Sequence, residues 1–242
     1  MILPLASLAE TLNTPAPWLM PYLCAARAVA AAKADSVADA LNAASSGGIR
    51  FVEQAALPEG EPYESFIART ACVPTRDNLH DLFNGLMWLS YPKTKRRLNV
   101  LHAEEITARG SVAGARGPLR DAMTLFDENA AIFQAPAVLV EALRARNWQP
   151  LFIEHRAQWA SAHLALFGHA LLEKLMQPRK PITAHVWLVE EFTDEAIASS
   201  LTLPRLAAKD FLPLPVLGVP GWWPANEHPA FYDDADVFRR PR

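Results

Sequence analysis

Apolar and polar positions alternate along the chain in two rhythms, one close to the helical period and one close to the strand period. The alanine-rich run YLCAARAVAAAKADSVADALNAA, between Pro21 and Pro58, is made of strong helix formers and stops at Gly47-Gly48. It predicts two helices meeting near Asp35-Ser36. Residues 49–54 (IRFVEQ) alternate between turn residues and predict a short strand, and residues 63–70 predict a short helix. The cap-type residues Thr75, Asp77 and Asn78 precede Leu79, Leu82, Phe83, Leu86 and Leu89, which predicts an amphipathic helix ending at Pro92. A second helix is predicted over about residues 94–109, closed by Gly110, and GSVAGARGPLRD predicts a loop.

Beyond that loop, MTLFDENAAIFQ predicts two short strands joined at the turn-forming Asp127-Glu128-Asn129. Helices are predicted over 136–146 and 154–176, a strand over ITAHVWLVEEF, and a capped helix over 193–200. From Pro204 onward there are seven prolines in 39 residues, too many for regular structure. Trp222, Trp223, Phe231, Tyr232 and Phe238 make this tail too apolar for a free linker. The predicted fold class is α+β, predominantly helical, with a few short strands and a long proline-rich irregular C-terminal segment. The expected organisation is a single domain over 1–242, with 1–15 a loose N-terminal extension and 204–242 a strap packed on the body.

Composition narrows the class further. The 242 residues are 51% hydrophobic and 20% charged, which fits a globular chain and excludes disordered, collagen-like and coiled-coil classes. Twenty prolines against ten glycines imply frequent rigid boundaries. A net charge of −3 argues against a surface that binds polyanions everywhere. Cys24 and Cys72 lie far apart without CxxC spacing, which argues against a disulfide framework or zinc knuckle. The apolar N-terminus lacks a basic region and is interrupted by Pro4, Pro15, Pro17 and Pro21, unlike a signal peptide. The uncharged stretch 157–172 holds His163 and His169 and is too short to span a bilayer, so no membrane span and a cytoplasmic location are expected.

The chain has no GxGxxG, GxxxxGK[ST], GxSxG, HExxH or EF-hand pattern. The chemistry is therefore sought in polar residues inside apolar segments. His80 and Asn84 share one helix face, with Asp81 about 100° away, and could serve as ligands or as an acid–base pair. Asp81 in a first turn also simply complements the helix dipole. Asn99, His102 and Glu105 lie within about 60° of one another on the next predicted helix. His155, Trp159, His163, His169 and Glu173 fall on one face of the helix predicted over 154–176, and the His169 and Glu173 pair has ligand spacing for a divalent metal. Arg120 and Asp121 could pair across the loop. Between Lys93 and Arg120 the basic residues Lys93, Lys95, Arg96, Arg97, Arg109, Arg116 and Arg120 face only Glu104 and Glu105, giving a stripe suited to a phosphate-bearing ligand or to solvent.

The strings FVEQAALPEGEPYESFIART, VPTRDNLHDLFNGLMWLSYPKTKRRLN, RGPLRDAMTLFDEN, FGHALLEKLMQPRKPITAH and LPVLGVPGWWPANEHPAFYDDADVFR resemble the bacterial family known as domain of unknown function 3025. The resemblance runs over about residues 16–242. It implies a single bacterial domain and carries no established activity, cofactor or catalytic residue.

Two functional readings follow from the residues. The first is a metal-dependent hydrolase of a phosphoester or nucleic acid, with a divalent metal held by His80, His102, His169 and Glu173, and with His185 as a further histidine near the set. His80, Asp81 and Asp121 would be catalytic, and Arg97, Arg116 and Arg120 would bind the substrate. The alternative is a non-enzymatic binding or scaffold protein that uses the basic stripe 93–120 or the aromatic tail. An acid–base enzyme built on His80 and Asp81 without metal differs from the first in surviving chelation.

Overall fold

Capping side chains and prolines set most of the element boundaries in the computed structural model of the protein, which describes residues 3–109 and 117–239. The first described element is α1 (Leu3–Thr11), whose Leu5 and Leu8 are buried against the core. The alanine-rich run forms the two predicted helices, α2 (Leu23–Ala31) and α3 (Val37–Ala44). Ser36 caps α3 by accepting from the Asp39 N–H at 3.0 Å. The Asn42 side chain then grips β1 (Arg50–Glu53), donating to the Phe51 carbonyl and accepting from the Phe51 N–H at 2.8 and 2.9 Å. The helix α4 (Tyr63–Thr70) crosses back so that β2 (Cys72–Thr75) pairs parallel with β1. The sequence pattern predicts no strand at 72–75, and β2 carries Pro74. In a two-stranded sheet each strand is an edge, and a proline costs no ladder bond there.

Helices α5 (Leu79–Ser90) and α6 (Pro92–Arg109) follow as predicted. The predicted hairpin at 123–134 does not form. MTLFDEN instead completes α7 (Pro118–Asn129), and only Ala130–Gln134 is extended, as β3. Pro118 opens that helix and Asp121 sits in its first turn, while Ala122, Met123 and Phe126 form a helical apolar stripe that is fully buried. Tertiary burial of this stripe outweighs the turn propensity of Asp127-Glu128-Asn129. After α8 (Ala137–Arg144), the long helix predicted over 154–176 is also absent. That stretch holds a single π turn, a 3-10 segment (Arg156–Ser161), β4 (His163–Ala165) and α9 (His169–Lys174). His155 and His163 therefore do not share a helix face with His169.

Strand β5 (Thr183–Leu188) completes the centre of the second sheet, and α10 (Asp194–Ser200) and α11 (Leu203–Ala207) precede β6 (Leu212–Pro215). The order is β4-β3-β5-β6, with β3 and β5 parallel and both edges antiparallel. Pro213 and Pro215 are tolerated because β6 is an edge strand. The tail is thus less irregular than expected, carrying α11 and β6 before a run of 3-10 turns. Its aromatics pack onto the body: Tyr232 stacks on Phe152 with centroids 5.2 Å apart, and Trp222 meets Trp18 at 6.1 Å. Tyr232 and Phe238 are buried, while Trp222, Trp223 and Phe231 are half-buried. Arg156 holds the same segment through the Asn226 carbonyl, the Tyr232 hydroxyl and the Glu227 carboxylate. One cluster of buried side chains runs from Leu5 to Phe238, and the fold is a predominantly helical α+β. Among the described residues no helix is long and apolar enough to cross a membrane.

Candidate functional site

Five helices present polar side chains inward and enclose a cavity of about 420 Å³. Helical spacing explains the lining: His80, Asn84 and Trp88 stand four residues apart on α5, and Lys95, Asn99 and His102 form one stripe on α6. Thr124, Asp127 and Glu128 come from α7 and His169 from the first turn of α9, while Tyr63 and Glu64 come from α4. Asp81, Asn84, Lys95, Asn99, His102 and His169 are all buried, an unusual concentration for residues that normally stay in water.

Three of these helices, α5, α6 and α9, are fixed at the end that delivers the side chain. The Asn78 carboxamide caps α5 by accepting from the Asp81 N–H at 2.7 Å, and Asp81 in turn holds Arg76, the residue that follows β2. Its carboxylate accepts from the Arg76 N–H at 2.7 Å and from the Arg76 guanidinium at 2.9 and 3.0 Å, which raises the pKa of Arg76. The start of α6 is capped from a distant element. Asp194 accepts from the N–H groups of Lys93 and Thr94 at 2.8 and 3.0 Å and from the Thr94 hydroxyl at 2.7 Å. At α9, Gly168 allows a close approach to α7, because a Cβ there would lie 2.5 Å from the Asn129 backbone.

These placements create two hydrogen-bonded polar groups that face each other in the cavity. The Lys95 ammonium donates to Asn84 Oδ1 at 2.7 Å and to Asp127 Oδ1 at 2.5 Å, and Asn84 Nδ2 donates to the Tyr63 hydroxyl at 3.1 Å. The other oxygen of Asp127 stands 3.8 Å from His169 Nδ1. His169 Nε2 then meets His80 Nε2 at 3.0 Å, and His80 Nδ1 donates to Glu173 Oε2 at 2.9 Å. Side-chain exposure is 5% at Lys95 and 25% at Asp127, and from His169 outward it rises from 6% to 34% at His80 and 42% at Glu173. The buried His169 is thereby joined to the solvent side through His80 and Glu173.

Burial governs the electrostatics. Loss of water pushes the His169 pKa down to about 4, with the nearby Lys95 and His80 adding to the effect and Asp127 opposing it. His102 is also lowered, mainly by desolvation. Desolvation alone would raise Asp127, but the Lys95 ammonium and the His169 ring overcome it and hold the carboxyl below its usual value. The Tyr63 pKa is raised by burial and by Asp81 and Asp127, so its hydroxyl keeps its proton. Trp88 Nε1, His102 Nδ1, Arg120 Nε and His169 Nδ1 are buried without a hydrogen-bond partner among the described residues. An unmet buried donor costs about 1–3 kcal/mol, and such costs are found where a site has a use for them.

The cavity gathers three of the four residues expected to hold a metal. His80, His102 and His169 line it, and Glu173 contacts the outer ring nitrogen of His80. They do not form a ligand group: His80 and His169 turn their Nε2 atoms on each other, and among the described residues no set of three or more His, Cys, Asp or Glu is arranged to hold a metal ion. Asp81 lines the cavity but is engaged by Arg76, so the carboxylate partner of His80 is Glu173. Asp121 is exposed in the first turn of α7 and does not line the cavity. Arg97 donates to the Leu201 carbonyl, Arg120 is half-buried, and Arg116 lies outside the described residues. His185 is on β5, where Asn129 Nδ2 meets its Nδ1 at 2.7 Å, away from the cavity lining.

The described part of the basic stripe does not form a single face. Lys93 pairs with Glu195, Arg96 donates to the Gly48 carbonyl, and Lys95 points inward. Lys95 is the residue that sequence reasoning misplaced, although its spacing from Asn99 and His102 puts it on their face. Tyr63, Trp88 and Asp127 were likewise not expected in the lining as a group.

The fold and the site thus define a helical α+β protein with a polar cavity between its helices, lined by histidines, carboxylates and a lysine. The chain belongs to the family described as "Protein of unknown function (DUF3025)", which matches residues 49–242 and so begins later than the sequence resemblance suggested. No curated protein and no solved structure matches the chain.

Proposed function

We propose that this protein is an enzyme that performs general acid–base chemistry on a small, uncharged polar molecule in the cavity. The observation that carries the reading is the hydrogen-bonded run from His169 through His80 to Glu173, which faces the Lys95 and Asp127 pair across 3.8 Å at its inner end. Lys95 and Asp127 meet the substrate. His169, neutral through the physiological range, exchanges a proton with His80, and His80 exchanges it with solvent while Glu173 orients its ring. Such a pair needs no reorganisation to pass a proton, because the two Nε2 atoms already stand at hydrogen-bond distance.

The lining carries the carboxylates Glu64, Asp81, Asp127 and Glu128 against the cations Arg76 and Lys95. Both cations are matched to a carboxylate, so the cavity has no spare positive charge for a phosphoester or a nucleic-acid backbone. This favours acid–base chemistry on an uncharged compound over the metal-dependent phosphoester hydrolysis suggested by the sequence. The binding alternative would need an open surface, and the aromatic tail is packed on the body.

The test is to incubate the purified chain with a mixture of small polar metabolites and follow consumption by mass spectrometry, with and without a chelator. The reading expects consumption that survives chelation and disappears in both His80→Asn and His169→Asn. Consumption that stops on chelation, or none that depends on the two histidines, overturns it.

A further inference from the structure

We propose that Lys95 is a covalent site, where the amine forms an imine with the carbonyl carbon of a neutral, hydroxyl-bearing aldehyde or ketone. The inference deepens the acid–base reading and rests on it. Lys95 is the one lysine among the buried polar side chains of the described residues, yet it stands on the wall of a cavity instead of in a packed interior. Its two acceptors, Asn84 Oδ1 and Asp127 Oδ1, engage two of the three N–H groups of an ammonium. The Trp88 ring covers one side of the nitrogen, 5.5 Å from its centroid. Lysine is the side chain whose buried amine most readily serves as a carbonyl nucleophile.

The Asp127 carboxylate is placed to receive and return the protons that the step moves. The Lys95 ammonium gives one proton to Asp127, and the freed electron pair attacks the carbonyl carbon. The C–N bond forms as the carbonyl π pair moves to oxygen, which takes the second nitrogen proton through the same carboxylate. Protonation of that hydroxyl by Asp127 releases water and leaves the protonated imine. The ammonium and the carbonyl compound thus become iminium and water, with no oxidant or reductant. His169 Nδ1 stands 3.8 Å from Asp127, and the His80 ring lies on its solvent side. An iminium acidifies the adjacent C–H, which gives the acid–base path a proton to take. The surplus of lining carboxylates selects an uncharged carbonyl compound over a 2-oxo acid.

The experiment treats the full chain with glycolaldehyde or dihydroxyacetone and sodium borohydride, with pyruvate as the anionic control, and maps reduced adducts by tandem mass spectrometry. Exposed Lys33, Lys174 and Lys209 serve as internal references. The expected result is labelling at Lys95 at least about tenfold faster than at the references with the neutral probes, as preorganised neighbours confer on a positioned nucleophile. Pyruvate should label it poorly. Adducts confined to exposed lysines overturn the imine while leaving the histidine-dependent consumption assay to stand or fall separately. Labelling of Lys95 at an unchanged rate in His169→Asn keeps the imine and overturns the acid–base reading. Lys95→Arg, which retains a cation beside Asp127, should lose the adduct without unfolding.

Discussion

His80 and His169 lie 89 positions apart in the chain and bring their Nε2 atoms to 3.0 Å with their rings nearly perpendicular, at 80°. One ring must carry the proton and the other accept it. Each ring also has a carboxylate toward its second nitrogen, Glu173 for His80 and Asp127 for His169. The pair is thus held between two negative groups, one near solvent and one beside a buried ammonium. Several consequences can be measured.

Lys95 and Asp127 should behave as an interdependent pair. Lys95→Met leaves Asp127 without its cation and should destabilise by about 3 kcal/mol, whereas joining it to Asp127→Leu should recover most of that loss. Denaturant midpoints of the two single variants and the double variant give the coupling directly. Additive single effects would mean that the contact contributes little.

Gly168 should be intolerant of a side chain. The added methyl in Gly168→Ala would stand 2.5 Å from the Asn129 backbone, pushing the start of α9 from α7 and costing about 2 kcal/mol or more. Gly85→Ala is the contrast, because its methyl meets the flexible end of Leu41. The smaller loss is expected for Gly85→Ala, and thermal unfolding of both ranks them.

Asp194 should matter more than an ordinary surface carboxylate. Its removal in Asp194→Ala leaves the first N–H groups of α6 without their acceptor and should cost about 1–2 kcal/mol. Because Lys95 is in that same first turn, hydrogen exchange should accelerate at the start of α6 and at Asn84. Exchange unchanged at α6 would contradict the role given to this cap.

Stability should fall with acidification before ordinary carboxylates titrate. The His169 pKa is lowered from 6.5 to about 4 in the folded chain, so between those values the unfolded chain binds more protons and acid favours unfolding. The loss approaches about 3 kcal/mol as the pH nears 4, with His102 acting in the same direction. Denaturation at a series of pH values should show this slope, and His169→Asn should flatten it.

Much of the fold was legible because it depends on local rules. The cap residues Ser36, Asn78 and Thr193 start helices as their side chains dictate, and the alternation in IRFVEQ makes a strand. The two failures at 123–134 and 154–176 share a physical origin. In both, an apparent local preference was overruled by packing between α7, β3 and the segment after Gly168, which no local pattern contains. Three site histidines were visible as polar residues at helical spacing, but their relation was not. The His80 to His169 contact joins two helices far apart in sequence, and the turn to Lys95 depends on Asp194, farther away still. Lys95 was hidden by its neighbours Lys93, Arg96 and Arg97, which made an inward side chain look like part of a charged surface.

The most direct test of the proton path is long-range proton–nitrogen spectroscopy of the chain with nitrogen-15 histidine, followed from about pH 8 to about pH 4. The account predicts that His169 stays neutral until the pH nears about 4 and that a nitrogen–nitrogen coupling links its Nε2 to that of His80. Titration of His169 near its ordinary value of 6.5, with no coupling between the two rings, would contradict it.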